Sequence, residues 1–410
     1  MHSHLLRSVA LTAAWLPAFA LAAPLTLEQA LDLAVQRSES TRAARAGALS
    51  AAESARAAGQ LPDPTLQAGI DNLPVTGAGA FRTTSDSMTM KRIGISQEWL
   101  SSRKRAARQA AADAVSARDE AQVQTAKADA RLQTALAYVD AFYAKEALEL
   151  TSLMAHHAHE EFEAAKARMS SATGNSQEAL ALASARGMAE DESDEVRQQQ
   201  SEALVALQRW VGIPVNELAP PVVSLPSTEA EFVSHYPSLV AMRRDVDVAK
   251  QAAAVSASER TSNWTWQVSY GQRTGYADMV SVGVSIPLQV APAQRQDRET
   301  AAKLALVEKA EADLAEATRT ASAEFEALLG DVERLQQRIA RYRAGVVAPA
   351  QRRIDAATAA YASNQVSLAT LFESRHAEVD AERKLLALQR DLAKAQVQLA
   401  FKPLSNGGGQ

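Results

Sequence analysis

The chain has 410 residues, 22% charged and 47% hydrophobic, with a net charge of −5 and no cysteine. That length supports a large core, and the slight acidity offers no basic field for nucleic acid. The missing cysteines exclude a disulfide framework, a thiolate zinc site, a thiol nucleophile and a lipid anchor on an N-terminal cysteine.

The first 23 residues read as a secretory signal peptide. Arg7 precedes an apolar run that ends in the small residues Ala20, Ala22 and Ala23, with cleavage expected after Ala22 or Ala23. The run is shorter than the roughly 20 residues a spanning helix needs, and no later stretch is apolar for long enough. A membrane location would therefore have to be carried by strands.

Thr26, with Gln29 three residues on, forms a capping box, and the helix it opens is expected to run to about Gly59. Two strands follow, at about 64–73 and 87–99. A helix then starts near Ser101 and continues without proline to about Ala172, on the order of 100 Å at 1.5 Å per residue. Leu132, Leu136, Val139, Tyr143, Leu150 and Leu153 recur along it at threes and fours, as in a coiled-coil seam. "ATGNSQ" breaks the helix, which resumes to about Trp210, and a Pro-rich linker covers 214–228.

The second half repeats this plan. "MKRIGIS" matches "MVSVGVS" and "GNSQEALALASAR" matches "SNQVSLATLFESR", both at a shift of about 189. The chain is thus a duplicated helix–hairpin–helix unit: a first repeat over 24–213 with helices at 101–210, and a second over 229–402. The second has strands at about 263–272 and 278–289 and helices at 292–401. A kink is expected near Gly345 and Pro349, and a disordered tail over 403–410.

The strands alternate. Val280, Val282, Val284, Ile286 and Leu288 share one face of the last strand, with Ser281, Gly283 and Ser285 on the other. Apolar-out, polar-in strands with terminal aromatics are the pattern of an outer-membrane barrel, with Trp99, Trp264, Trp266 and Tyr270 as interfacial girdle residues. The alternative is a small soluble sheet packed on helices. Four strands cannot close a membrane barrel and an open edge in lipid leaves backbone groups unpaired, so three copies giving twelve strands are expected.

These features, together with "LTLEQALDLA", "PDPTLQAGIDNLPVTG" and "MTMKRIGISQEW", resemble the TolC-type outer membrane factors of tripartite efflux pumps over nearly the whole mature chain. The hairpin motifs are most similar to the cobalt–zinc–cadmium resistance branch. The resemblance implies a mainly α fold in which a homotrimer joins a twelve-stranded barrel to a periplasmic helical tunnel. It implies docking to a periplasmic adaptor and an inner-membrane RND-type pump, no cofactor and no catalysis; no Gly-rich phosphate loop, G-x-S-x-G or H-E-x-x-H occurs. The family narrows its inner end with acidic rings, which here points to Glu373, with Glu178 near the first break. Gly174, Asn175, Ser363 and Asn364 mark the helix breaks where an adaptor would dock.

No metal site is firm in the sequence. His156 with Glu160 and His157 with Glu161 have i,i+4 ligand spacing, with His159 beside them; the alternative is a polar helix face. "MAEDESDEV", from Met188 to Val196, could face a tunnel and attract cations or lie outside it in water. Organic drugs or a secreted polypeptide remain alternative cargoes, and a soluble periplasmic coiled-coil scaffold or adaptor is the alternative of another class.

Overall fold

The computed structural model describes residues 24–171, 175–226 and 228–403. In chain order the elements are α1 (Leu27–Arg37), α2 (Glu39–Ala58), β1 (Thr65–Asp71), β2 (Met90–Trp99), α3 (Ser102–Ser170) and α4 (Ser176–Val211). They continue as α5 (Glu229–Ser234), α6 (Pro237–Ser258), β3 (Trp264–Arg273), β4 (Met279–Ser285), α7 (Gln296–Tyr342), α8 (Ala348–Ala362) and α9 (Leu368–Phe401). The expected signal peptide and most of the expected tail lie outside the described residues.

Thr26 forms its capping box with Gln29, with both reciprocal hydrogen bonds present. The helix it opens does not reach Gly59. Ser38 takes an extended ψ of 111°, and its hydroxyl accepts from the Thr41 amide at 3.1 Å, ending α1 and starting α2. A serine hydroxyl competes well for backbone groups at such a point. In α1, Leu27, Ala30, Leu31 and Ala34 are buried.

The start of the chain and the Pro-rich segment meet on α3. Leu25 and Leu218 form a parallel bridge, with Leu25 donating to the Glu217 carbonyl and Ala219 to that of Leu25. Below them Tyr138 is fully buried, its one hydroxyl proton shared between the carbonyls of Leu25 and Ala219, each 2.6 Å away. Burial pushes this phenol up to about 12. The segment between the repeats is therefore docked structure over its first half.

Along α3 the buried stripe shifts. Ala135, Tyr138 and Val139 face α1, α4 and the inter-repeat segment. Further on, Thr151, Met154, Ala158, Glu161 and Ala165 are the buried set, and Leu153 of the expected seam is 54% exposed. The partners change from the first cluster to one formed with α4 and α9, so the contact face turns with them. Before Pro349 the helix loosens into a π-helical turn, Arg343–Val347. A proline ring would strike the carbonyl four residues back, that of Gly345, and one extra residue in the turn relieves it.

The four strands form one antiparallel sheet in the order β1-β2-β3-β4. Both hairpin loops lie at one end and all the helices at the other. Pairing in β4 stops at Ser285 although the apolar alternation continues, because Ser285 faces Thr265 and β3 begins one residue earlier. The following stretch is held instead by Ser262 Oγ donating to the Pro287 carbonyl and Gln289 to that of Glu259. β2 starts at Met90, later than expected, because Asn72 and Thr89 spend their side chains on the loop's carbonyls.

Candidate functional site

The register sorts the sheet into two faces. On one, Leu66, Ile95, Val268 and Val282 form a row across the four strands, and Ala68, Ile93, Tyr270 and Val280 form the next. The opposite face carries Thr65, Ser96, Gln267 and Gly283, then Gln67, Gly94, Ser269 and Ser281. The apolar rows are exposed, Val282 by 73%, and no helix among the described residues covers them. An isolated four-stranded sheet with an uncovered apolar face has no core to hold it in water. β1 and β4 each keep one unpaired edge.

Trp99 and Trp264 are partners in the register at the helix end of the sheet, with ring centroids 5.9 Å apart. Trp266 lies one row further in, opposite Val284, and Tyr270 sits near the loop end, its hydroxyl bonded to Asp278. The four aromatics thus lie on the apolar face, three at one end and one towards the other.

Where the sheet meets the helices, a polar cluster joins the two repeats. Lys104 of α3 is only 2% exposed and donates to Glu259 at 2.7 Å and to Asn263 at 2.7 Å. Arg108 reaches the other oxygen of Glu259, and Asn263 donates to Glu98. Burial works to raise Glu259, but the hydrogen bonds from Lys104 and Arg108 outweigh it and hold the carboxyl below its ordinary value. In the sequence, Lys104 is one of several basic residues in "SSRKRAAR", and nothing local marks it as the one that turns inward.

At the far end, Asn175 caps α4 by accepting from Gln177, while its repeat mate Asn364 takes a left-handed φ of 56° in the turn after α8. Ser363 follows the end of α8, and Ser367 caps α9. Gly174 lies outside the described residues. The two tips are tied together: Arg168 of α3 donates to the hydroxyl of Tyr361. Glu178 is half-buried and accepts the Leu368 amide at 3.0 Å, which satisfies an open donor at the start of α9. Glu373 is exposed on the first turns of α9.

Of the two pairs the spacing suggests, His156 with Glu160 forms and His157 with Glu161 does not. His156 and His157 both lie against Glu160, at 3.3 and 3.5 Å, and His159 is exposed. Glu161 instead points into the helix interface, buried, and is paired with Arg375 of α9. Burial pushes the Glu161 carboxyl above its ordinary value, and Arg375 offsets only part of that. Arg186, the repeat mate of Arg375, pairs with Glu190 of its own helix and lies over the Phe162 ring of α3. The acidic run is split by the helix period: Ala189, Ser193 and Val196 are buried, Glu192 pairs with Arg383 of α9, and Asp194 pairs with Arg197.

By sequence, no family model and no curated protein matches the chain. By structure it is similar to several solved outer-membrane channels. Against the CmeC outer membrane channel of Campylobacter jejuni the TM-score is 0.77 at 12% identity, covering 93% of this chain and 87% of that one. Against the outer membrane protein VceC of Vibrio cholerae it is 0.74 at 17% identity, covering 92% and 96%. Against CusC, described in terms of transmembrane channel formation, it is 0.75 at 12% identity, covering 92% and 91%. The chain has the fold of these channels, mainly α with one small antiparallel sheet and the TolC-type arrangement that the motifs suggested.

Proposed function

We propose that the protein is the outer-membrane channel of a tripartite efflux pump, a passive duct from a periplasmic adaptor and inner-membrane RND-type pump to the exterior. The observation that carries this reading is the uncovered apolar face of a sheet whose two edges are both unpaired. Lipid accepts such a face, and only strands from further copies can satisfy such edges inside it. All four strands are antiparallel, so β4 of one copy and β1 of the next continue the alternation, and three copies close a ring of twelve. Trp99, Trp264, Trp266 and Tyr270 then stand at the lipid interfaces. The long helices extend into the periplasm, and the tips at Gly174, Asn175, Ser363 and Asn364 meet the adaptor.

Heavy-metal cations are the proposed cargo, on the strength of the hairpin motifs. Glu373, exposed and near a helix tip, is proposed to ring the inner aperture. Glu178 has its carboxylate committed to the Leu368 amide, which favours a structural part for it. In planar bilayers the purified protein is expected to form cation-selective pores, and Glu373→Gln to lower that selectivity severalfold, since it removes three converging charges. Pores with unchanged selectivity in the variant would remove Glu373 from the aperture. No pore activity would remove the channel. Growth of a deletion strain on zinc, cobalt, cadmium and copper, beside hydrophobic antibiotics, separates metal from organic cargo.

A further inference from the structure

Glu192 of α4 and His376 and Asp380 of α9 each bring one ligand atom to within 4.8 Å of the others. Among the described residues, no other set of three such side chains is gathered this closely. We propose that they bind a divalent transition-metal ion that braces α4 against α9.

The distances suit such an ion. His376 Nε2 and Asp380 Oδ2 are 3.6 Å apart, one helical turn from each other. Tetrahedral bonds of about 2.1 Å put neighbouring ligands about 3.4 Å apart. Glu192 closes the remaining gap by a side-chain rotation, and water completes the shell. The imidazole is held by stacking on Phe372, with centroids 5.9 Å apart and planes 11° from parallel. Its Nδ1 is buried and has no hydrogen-bond partner, so the ring's remaining polar bond is made on the carboxylate side. A cation on Nε2 would engage the imidazole and both acids at once, with the ring proton carried on the buried, unpartnered Nδ1. Two carboxylates and a neutral imidazole supply the charge a divalent ion needs.

A mixed nitrogen and oxygen set selects zinc, cobalt, nickel or copper over calcium or magnesium. The competitor is on the page as well. Arg383 pairs with Glu192, so the ion must share or displace a guanidinium. α4 packs mostly on α3, and α9 on α3, α7 and α8, so an ion bridging α4 to α9 would add a direct tie between them.

The site stands apart from the channel reading, because binding is measured without transport. The full-length protein, stripped of metal in detergent, is titrated with Co²⁺ and then Zn²⁺, followed by visible absorption and calorimetry. Saturable binding of one ion per protomer at micromolar metal is expected. His376→Ala and the milder Asp380→Asn should each weaken it by about tenfold or more. Replacing His156, His157 and His159 together by alanine should leave it unchanged. Arg383→Gln should tighten it, and unchanged or weaker binding there contradicts the part given to Glu192. No saturable binding in the parent protein, or binding that survives His376→Ala, overturns the site.

Discussion

Replacing Val282 by arginine is expected to keep the protein out of the membrane. Val282 sits in the row formed with Leu66, Ile95 and Val268, and its side chain is 73% exposed. A charged side chain on the lipid face near the midplane of a barrel costs about 2–4 kcal/mol. In the proposed ring of three copies that becomes about 6–12 kcal/mol per barrel, comparable with the whole stability of a domain. Ser281→Arg, one residue away on the polar face, is the control and should be tolerated. After a carbonate wash of membranes, the Val282→Arg protein is expected in the supernatant or in aggregates and the Ser281→Arg protein in the pellet. Equal membrane retention of both would mean that the apolar face does not meet lipid.

The second large effect is expected at the seam between sheet and helices. Glu259→Ala leaves the Lys104 ammonium buried, with Asn263 as its main remaining partner. Removing one partner of a buried pair costs about 3–5 kcal/mol. Because Glu259 is itself partly exposed, the lower end, about 3 kcal/mol, is expected here. Lys104→Met should cost less, since it fills the same space without charge, and Glu259 keeps Arg108 and water. Urea unfolding followed by tryptophan fluorescence reads both, and a Lys104→Met loss equal to that of Glu259→Ala would contradict this ranking. The pair also sets an acid sensitivity. The folded value of Glu259 lies below its ordinary 4.5, so its stabilisation is complete above about pH 4.5 and is lost as pH falls through the lower folded value.

Periodicity made much of this legible from residues alone. Val280, Val282 and Val284 alternate with Ser281, Gly283 and Ser285, and the sheet separates them onto two faces as expected. The same pattern overstated the length of β4, since Ile286 and Leu288 keep the alternation after the pairing has ended. Alternation reports which face a side chain takes, and says nothing of where the partner strand begins. The break at Ser38 was hidden for a related reason: helix-forming residues stand on both sides, and one hydroxyl bond decides it.

The polar interior was less legible. Counting four residues along one helix joined His157 to Glu161, whereas Glu161 turns to Arg375, 214 residues away in the chain. Lys104 and Glu259 are likewise far apart in sequence and meet only because α3 and α6 run side by side. Helix spacing constrains a residue's neighbours on its own helix, and ion pairs between helices depend on registers that no local pattern carries. Asn175 and Asn364 show the limit of the repeat itself, as equivalent positions in the two halves take a capping and a left-handed conformation.

The mass of the detergent-extracted protein, measured by native mass spectrometry, tests most directly whether this sheet is one third of a closed ring. Each chain has 410 residues before any cleavage, and a single species of three chains that survives dilution is the predicted result. A monomer that stays folded and dispersed after the detergent is removed would contradict it, because β1 and β4 would then have left their edges, and the apolar rows between them, open to water.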